Sequence, residues 1–303
     1  MYVRNLRVQN VKLLRDVKID FTDANGRPRM WTVFVGENRL CKTTLLQTIA
    51  AAACGGDRGT QLVTDVIASW PDLRNPRSLQ IDAEFGFPSN PAEQPYFPGI
   101  GPGEQRSLRL WSKLELEPDK RVFAGQSGYL DAPAAEPAIS DPLTTARIEA
   151  LESWFVAGYG PSRLLPGAGK TARQSEPTLD RLRSLFGDNL IGTGFIELLD
   201  GTLGQAFVDV LGSVFVAGGV LPHVTALELR GRGGLRSNRD LIEGQRFEMD
   251  VLDTKHERIR VPASWLSQGY QTLIAWLADV VGQILLDAEH PVAAADMIGT
   301  VLV

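Results

Sequence analysis

Residues 31–53 read WTVFVGENRLCKTTLLQTIAAAA, and the rest of the chain is read outward from them. Trp31–Val35 is a short run of apolar, β-branched and aromatic residues ended by Gly36, which predicts a buried strand. Thr43–Ala53 consists mostly of helix formers, with Leu45, Leu46, Ile49, Ala50 and Ala53 on one face, which predicts a helix. Between the two lie Gly36, Glu37, Asn38, Arg39, Leu40, Cys41 and Lys42, a tight connection whose Lys42-Thr43 pair opens the helix.

Strand, tight loop and helix opened by Lys-Thr form the pattern of a phosphate-binding P-loop. A triphosphate needs many donors in a small arc, and loop N–H groups plus the positive end of a helix supply them. Lys42 reaches toward the β- and γ-phosphates, and the Thr43 hydroxyl completes a Mg²⁺ shell. Thr44 follows in the first helical turn and is grouped with the loop. The cofactors expected are therefore ATP and Mg²⁺. One residue departs from G-x-x-x-x-G-K-[ST]: Cys41 stands where the second glycine belongs, and glycine there allows close backbone approach and a positive φ. The plainer alternative is a small buried cysteine beside a chance Lys-Thr. A second Gly-Lys-Thr, within Pro166–Thr171, has Leu164 in place of the first glycine and Pro177 soon after, so it reads as a surface loop.

Composition bounds the rest. The 303 residues suffice for one large α/β domain or two modest ones, and 44% hydrophobic residues indicate a globular chain. A net charge of −5 offers no global attraction for nucleic acid or an anionic membrane, although residues 1–30 carry seven Lys/Arg against three Asp. The two cysteines, Cys41 and Cys54, flank one helix at about 16 Å, too far to bridge within it, and show no metal-ligand spacing. A reducing cytosol is the expected compartment. No signal peptide and no run of 18 apolar residues is present, so no membrane partner is expected.

Along the chain, Tyr2–Gln9 and Val17–Phe21 read as strands joined onward by a turn at Asp23–Gly26. Leu79–Phe85 and Ser107–Leu116 alternate and predict antiparallel strands. The Gly86–Gln105 stretch between them, with five prolines and four glycines, and Pro118–Pro142 read as loops. Trp154–Tyr159 predicts a buried strand followed by a turn at Gly160–Arg163. Leu179–Phe186 and Phe195–Val216 predict helices, and Val224–Leu229, Arg246–Leu252 and Arg258–Val261 predict strands around an Arg230–Gly244 connection. A strong helix is expected over Tyr270–Leu286, with Leu273, Ile274, Leu277, Val280, Val281, Ile284 and Leu285 as its stripe and Ser267 as its N-cap. Met297–Val303 reads as a final apolar strand.

Leu266-Ser267-Gln268-Gly269-Tyr270-Gln271 resembles the L-S-x-G-x-Q signature of ABC-type ATPases. A Ser hydroxyl, a glycine and a helix N-terminus together suit a second phosphate site. With this motif downstream of the Lys42 loop, the chain resembles the ATPase core of the RecF/SMC/OLD-like branch, the "AAA family ATPase" type of bacterial genomes. The stretches GENRLCKTTLLQ (36–47), FVAGYGPSR (155–163) and WLSQGYQTLIAWLADVVGQILL (265–286) carry the likeness, which is tightest over 1–53 and 263–303. About 230 residues separate the two motifs and no sustained heptads occur, which favours a small globular insertion over long coiled coils.

The resemblance implies an α/β P-loop NTPase fold, an ABC-ATPase-like head with a mixed central sheet, an antiparallel N-terminal β-subdomain and a small helical lobe bearing the signature. On that plan 1–303 is a single head: 1–55 holds the first strands and the P-loop, 79–160 a β-rich subdomain, 179–216 a helical insertion, and 224–303 strands and the signature helix. It further implies an ATP-bridged homodimer in which Ser267, Gln268, Gly269 and Gln271 of one protomer meet the nucleotide held by Gly36–Thr44 of the other. The same plan runs an apolar strand such as Ile298–Val303 into an Asp-Glu pair that orders Mg²⁺ and activates water. Here the sequence stops at Val303, so a truncated chain without catalytic carboxylates is expected. Two functions follow. One is ATP binding, with hydrolysis in the intact parent, in DNA maintenance or antiphage defence. The other is a non-hydrolysing module that dimerises on ATP and presents an effector such as a nuclease or toxin. DNA is a third candidate partner, through Arg4, Arg7, Lys12, Arg15, Lys18 and the Arg230–Arg239 loop. Arg163 is a candidate phosphate contact, and Gln80 and Gln126 are candidates for a Mg²⁺-sensing glutamine. His223, His256 and His290 form no constellation.

Overall fold

The computed structural model describes residues 1–72, 74, 77–87, 109–130, 143, 154–160, 177–187, 202–229, 247–252, 255, 257–288, 290–297 and 299–303. The chain divides into two units: Met1–Pro161, Arg181–Gly187 and Ile298–Val303 form the first, and Ser162–Asp180 with Asp188–Met297 the second.

The first unit is built on a five-stranded antiparallel sheet of β1 (Tyr2–Val11), β2 (Leu14–Asp20), β3 (Leu79–Gly86), β4 (Arg109–Leu116) and β5 (Ala124–Tyr129), in the order β2-β1-β3-β4-β5. Its central strands alternate, so one face collects Leu6, Val8, Leu79, Ile81, Phe85, Leu110 and Leu114, all buried. The other face is polar and runs in rows across the strands. One row is Lys18, Arg7, Asp82, Lys113 and Gln126, set by the registers of the four strand pairs. Helix α1 (Lys42–Cys54) covers the apolar side. Its alanine-rich second half is fully buried, and the Ser112 hydroxyl on β4 donates to the Ala52 carbonyl at 2.7 Å. Helix α2 (Gly56–Val63) begins against β5, where a Cβ on Gly125 would stand 2.5 Å from the Gly56 backbone. Two glycines are required by that approach.

Trp70 anchors this core. It is fully buried, with ring centroids 6.1 Å from Phe123 and 6.3 Å from Phe186. The chain around it is tied to the end of β1, with the Lys12 N–H donating to the Trp70 carbonyl at 2.6 Å and the Asp72 N–H to the Asn10 carbonyl at 3.1 Å. The Arg74 guanidinium donates to both Asp72 carboxylate oxygens at 2.8 Å, and the Arg74 N–H to one of them at 3.0 Å. The guanidinium first, then the backbone donor, hold the Asp72 carboxyl at about 2, below its ordinary 3.8. A carboxyl whose folded value is depressed contributes stability above its unfolded pKa and loses it as pH falls through the folded one. Urea midpoints are therefore expected to fall between pH 4 and pH 2 more steeply for the wild type than for Asp72→Asn.

Strand β6 (Val156–Gly158) pairs in parallel with Thr300–Leu302, strand β10 of the chain, through Thr300 N–H to Phe155 carbonyl at 2.9 Å and Tyr159 N–H to Leu302 carbonyl at 2.7 Å. Arg181–Gly187 packs beside it. Arg181 lies 4.6 Å over the Phe155 ring, the Ser184 hydroxyl donates to the Gly158 carbonyl at 2.7 Å, and the buried Gln47 amide of α1 donates to the Leu185 carbonyl at 3.0 Å. Helix α3 (Pro177–Arg183) carries the first of these residues.

The second unit contains α4 (Thr202–Gly212), a π-helical turn over Ser213–Ala217, the antiparallel sheet β7 (Val224–Leu229), β8 (Phe247–Leu252) and β9 (Arg258–Pro262), and helix α5 (Gln268–Ala288). Its core joins Phe207, Leu211, Phe215 and Leu221 to Ile274, Ala278, Val281 and Leu285. Among the described residues α5 is the one helix long and apolar enough to cross a membrane, and half of its apolar window is buried in this core.

Two expectations are corrected. Trp31–Val35 is not a buried strand: these residues join no ladder, and Trp31, Val33 and Val35 are 88%, 77% and 91% exposed. A strand is made by partners as well as by propensity, and here only Phe34 turns inward, edge-on to Phe21 at 6.3 Å. Pro118–Pro142 is not all loop, because β5 lies within it. Ala124–Tyr129 has no apolar alternation of its own and is recruited by the free edge of β4. There the Trp111 indole lies against Gly128, closer than a Cβ at that position would allow. The Pro166–Thr171 loop, Arg163, His256 and Arg230–Gly244 lie outside the described residues.

Candidate phosphate-binding loop and signature helix

Residues Gly36–Cys41 form an exposed loop ahead of α1. Two of its residues take the left-handed conformation that side chains disfavour, Arg39 with φ 76° and Cys41 with φ 58° and ψ 24°. Cys41 is the N-cap residue, and its side chain does not cap the helix. The first turn carries no acidic residue, so the positive end of the dipole is left facing the loop. Lys42 curls back across the loop, and its ammonium donates to the Gly36 carbonyl at 2.8 Å and the Glu37 carbonyl at 2.7 Å. Thr43 is exposed at the helix start, whereas Thr44 is buried and faces away from the solvent side.

The position that the motif reserves for glycine thus has the φ that only glycine adopts without strain. A left-handed non-glycine residue costs roughly 1–2 kcal/mol, and a glycine gives back roughly 0.5–1 kcal/mol through unfolded-state entropy. Cys41→Gly is therefore expected to stabilise the first unit by about 0.5–1 kcal/mol, read as a higher urea midpoint at an unchanged slope. A lower midpoint would overturn the strain assignment.

Leu266–Gln271 opens α5 in the second unit. The Ser267 hydroxyl accepts from the Tyr270 N–H at 3.4 Å, and the Gln271 N–H donates to the Ser267 carbonyl at 3.0 Å, so Ser267 caps the helix. The Gln271 amide donates to the Ser264 and Leu266 carbonyls at 3.0 and 2.8 Å. Its side chain therefore ties the preceding turn to the helix. Gly269 faces open space, where an added Cβ would meet only the Ser267 hydroxyl at 3.9 Å. A cleft of about 650 Å³ lies alongside, lined by Ser267, Gln268, Gly269, Tyr270, Leu273 and Trp276.

The remaining candidates fare differently. Gln80 and Gln126 both sit on the polar face of the five-stranded sheet, opposite the face that α1 covers, and Gln80 bonds to Glu115 across the strands at 3.4 Å. The sheet separates both from α1, so neither is placed to sense an ion at its start. Arg4 ion-pairs with Glu84 and Arg7 with Asp16, which reduces the basic excess of the opening strands. Arg15 and Lys18 are exposed on β2. His223 and His290 are exposed, and among the described residues no cluster of His, Cys, Asp or Glu could hold a metal ion. Sequence reasoning missed the positive φ at Arg39 and the structural commitment of Gln271, both of which depend on loop geometry that has no periodic signal.

No family model matches the chain. It is similar to the Septu protein PtuA of Bacillus mycoides (strain KBAB4), at 29% identity over 62 residues. The matched region is 20% of this chain and covers 9% of the length of that relative.

Proposed function

We propose that the Gly36–Thr43 loop binds the phosphates of ATP with Mg²⁺, and that the chain is the nucleotide-binding part of an ATPase of DNA maintenance or antiphage defence. The observation that carries this reading is the Lys42 ammonium. It is folded over a loop that leads into an uncapped helix N-terminus, within reach of the Gly36 and Glu37 carbonyls. An ammonium beside free helix N–H groups suits a polyanion. In the bound state Lys42 exchanges its carbonyl partners for phosphate oxygens, and the exposed Thr43 hydroxyl is the residue fitted to the Mg²⁺ shell. Arg39 and Cys41 in the same loop are held left-handed. The local similarity to a Septu protein is in keeping with this reading.

Ser267 and Gly269 are assigned to the γ-phosphate of nucleotide held by a second protomer, with Gln271 positioning the turn. Binding and nucleotide-linked dimerisation are the activities assigned to these two motifs, which also suits presentation of an effector. The test is equilibrium titration of the folded chain with a fluorescent ATP analogue and Mg²⁺. Saturable, Mg²⁺-dependent binding competed by ATP is the expected result, and a folded chain that binds no ATP overturns the proposal.

A further inference from the structure

Trp265 stands 74% exposed, two residues before Ser267. The turn that carries it is held firmly on both sides. Ala263, which opens the 3-10 turn Ala263–Trp265, is fully buried, and Leu266 packs against the core of the second unit. The Leu266 N–H donates to the Ala263 carbonyl at 3.1 Å. The Gln271 amide holds the carbonyls flanking Trp265, those of Ser264 and Leu266, at 3.0 and 2.8 Å. The backbone is thereby fixed, while the indole stands in solvent with the exposed Ser267, Gln268 and Gly269 following it. A large aromatic on a fixed backbone has little freedom to lose on contact, and tryptophan is among the residues most enriched as interface anchors.

We infer that Trp265 anchors the nucleotide-linked dimer by stacking on the guanidinium of Arg39 in a second copy of the chain. The inference rests on the assignment of Gly36–Thr43 and Ser267 to one nucleotide. On that assignment the Ser267 hydroxyl and the Lys42 ammonium of the second copy bond to the same γ-phosphate, which brings the two groups within roughly 8 Å. Trp265 lies two residues before Ser267 and Arg39 three before Lys42. At most roughly 10 Å of backbone therefore separates each from the residue at the phosphate. Arg39 is exposed in the loop with φ 76°. Leu40, the other long side chain beside it, lies back over Gly36, 3.3 Å from where a Cβ on that glycine would stand. The face of an indole is negative, so it takes a guanidinium and disfavours a carboxylate. That selects Arg39 over Glu37, which is exposed in the same loop. The two-fold of the dimer repeats the contact at its second nucleotide.

The test is sedimentation of the full 303-residue chain at saturating Mg²⁺ and a non-hydrolysable ATP analogue, across a concentration series, beside titration of dilute chain with a fluorescent ATP analogue. A nucleotide-dependent dimer is expected. Trp265→Ala should weaken it by about 30-fold and leave nucleotide binding by the dilute chain unchanged. Arg39→Gln, which keeps the loop's backbone demand and removes the charge, should weaken the dimer by about fivefold. In the Trp265→Ala background the same change should add nothing. Thermal melts, unchanged because both sites are exposed, separate lost association from lost folding. A chain that binds nucleotide and stays monomeric overturns the inference and leaves the phosphate loop standing. So does a Trp265→Ala dimer as tight as the wild type, or an Arg39→Gln loss that is equal in both backgrounds. A folded chain that binds no nucleotide overturns both the inference and the assignment beneath it.

Discussion

Lys42→Ala is expected to weaken ATP·Mg²⁺ binding by roughly 10- to 100-fold while leaving the melting transition nearly unchanged. The reason is an asymmetry between the two states. In the unliganded protein the Lys42 ammonium bonds to two carbonyls at an exposed site, where water replaces it at little cost. Against phosphate the same group makes charge-assisted bonds worth about 1.5–3 kcal/mol, which corresponds to roughly one to two decades in Kd. The uncapped helix end and the loop N–H groups remain in the variant, so residual binding persists. Lys42→Arg is a useful companion, because a planar fork does not fit the space of a compact ammonium and recovers only part of the affinity. Titration with a fluorescent ATP analogue, with a thermal melt on the same samples, checks both halves. An affinity equal to that of the wild type would remove Lys42 from the site.

Trp70→Ala should destabilise the first unit by about 3–5 kcal/mol. Trp70 is fully enclosed and touches two other aromatic rings, Phe123 beside the start of β5 and Phe186 beyond α3. Truncation removes the transfer free energy of an indole and leaves a cavity bounded by elements from three separate parts of the chain. Those elements are also tied by backbone hydrogen bonds from Lys12 and Asp72, which limit how far the site can collapse. A shift of that size lowers the melting temperature of a unit this large by roughly 10 °C. Calorimetry or urea unfolding would register it, and a loss below about 1 kcal/mol would show that the ring does not anchor the core. Trp70→Phe, which refills part of the volume, should recover a good fraction of the loss.

What was legible in the sequence was local. The helix expected over Thr43–Ala53 runs Lys42–Cys54, and the helix expected over Tyr270–Leu286 runs Gln268–Ala288 with Ser267 at its cap. Both have a 3.6-residue apolar spacing and a clear start signal, which depend only on neighbours a turn apart. Leu79–Phe85 and the partner strand ending at Leu116 were equally plain, because period-two alternation marks a half-buried antiparallel pair. Of the candidate site, the loop-to-helix junction at Lys42 was legible, and so was the Ser267-capped start of α5, whereas the strand expected before the loop is absent. The orientation of Lys42 and the left-handed backbone at Cys41 were not, since a single loop residue carries no periodicity.

Tertiary structure alone decided the rest. Ala124–Tyr129 became a strand because β4 offered it an unpaired edge and two glycines let α2 and Trp111 come close, none of which is written in its own composition. Trp31–Val35 has the stronger strand sequence of the two, yet stands exposed because no ladder meets it. The division into two units likewise follows no sequence boundary, since Arg181–Gly187 and Ile298–Val303 return to pack with the first 161 residues. The amino-acid sequence by itself determined the helices that open at Lys42 and Gln268 and which strands alternate. Whether a strand-forming segment is a strand depends on hydrogen-bond partners far away in the chain, and only the fold assigns them.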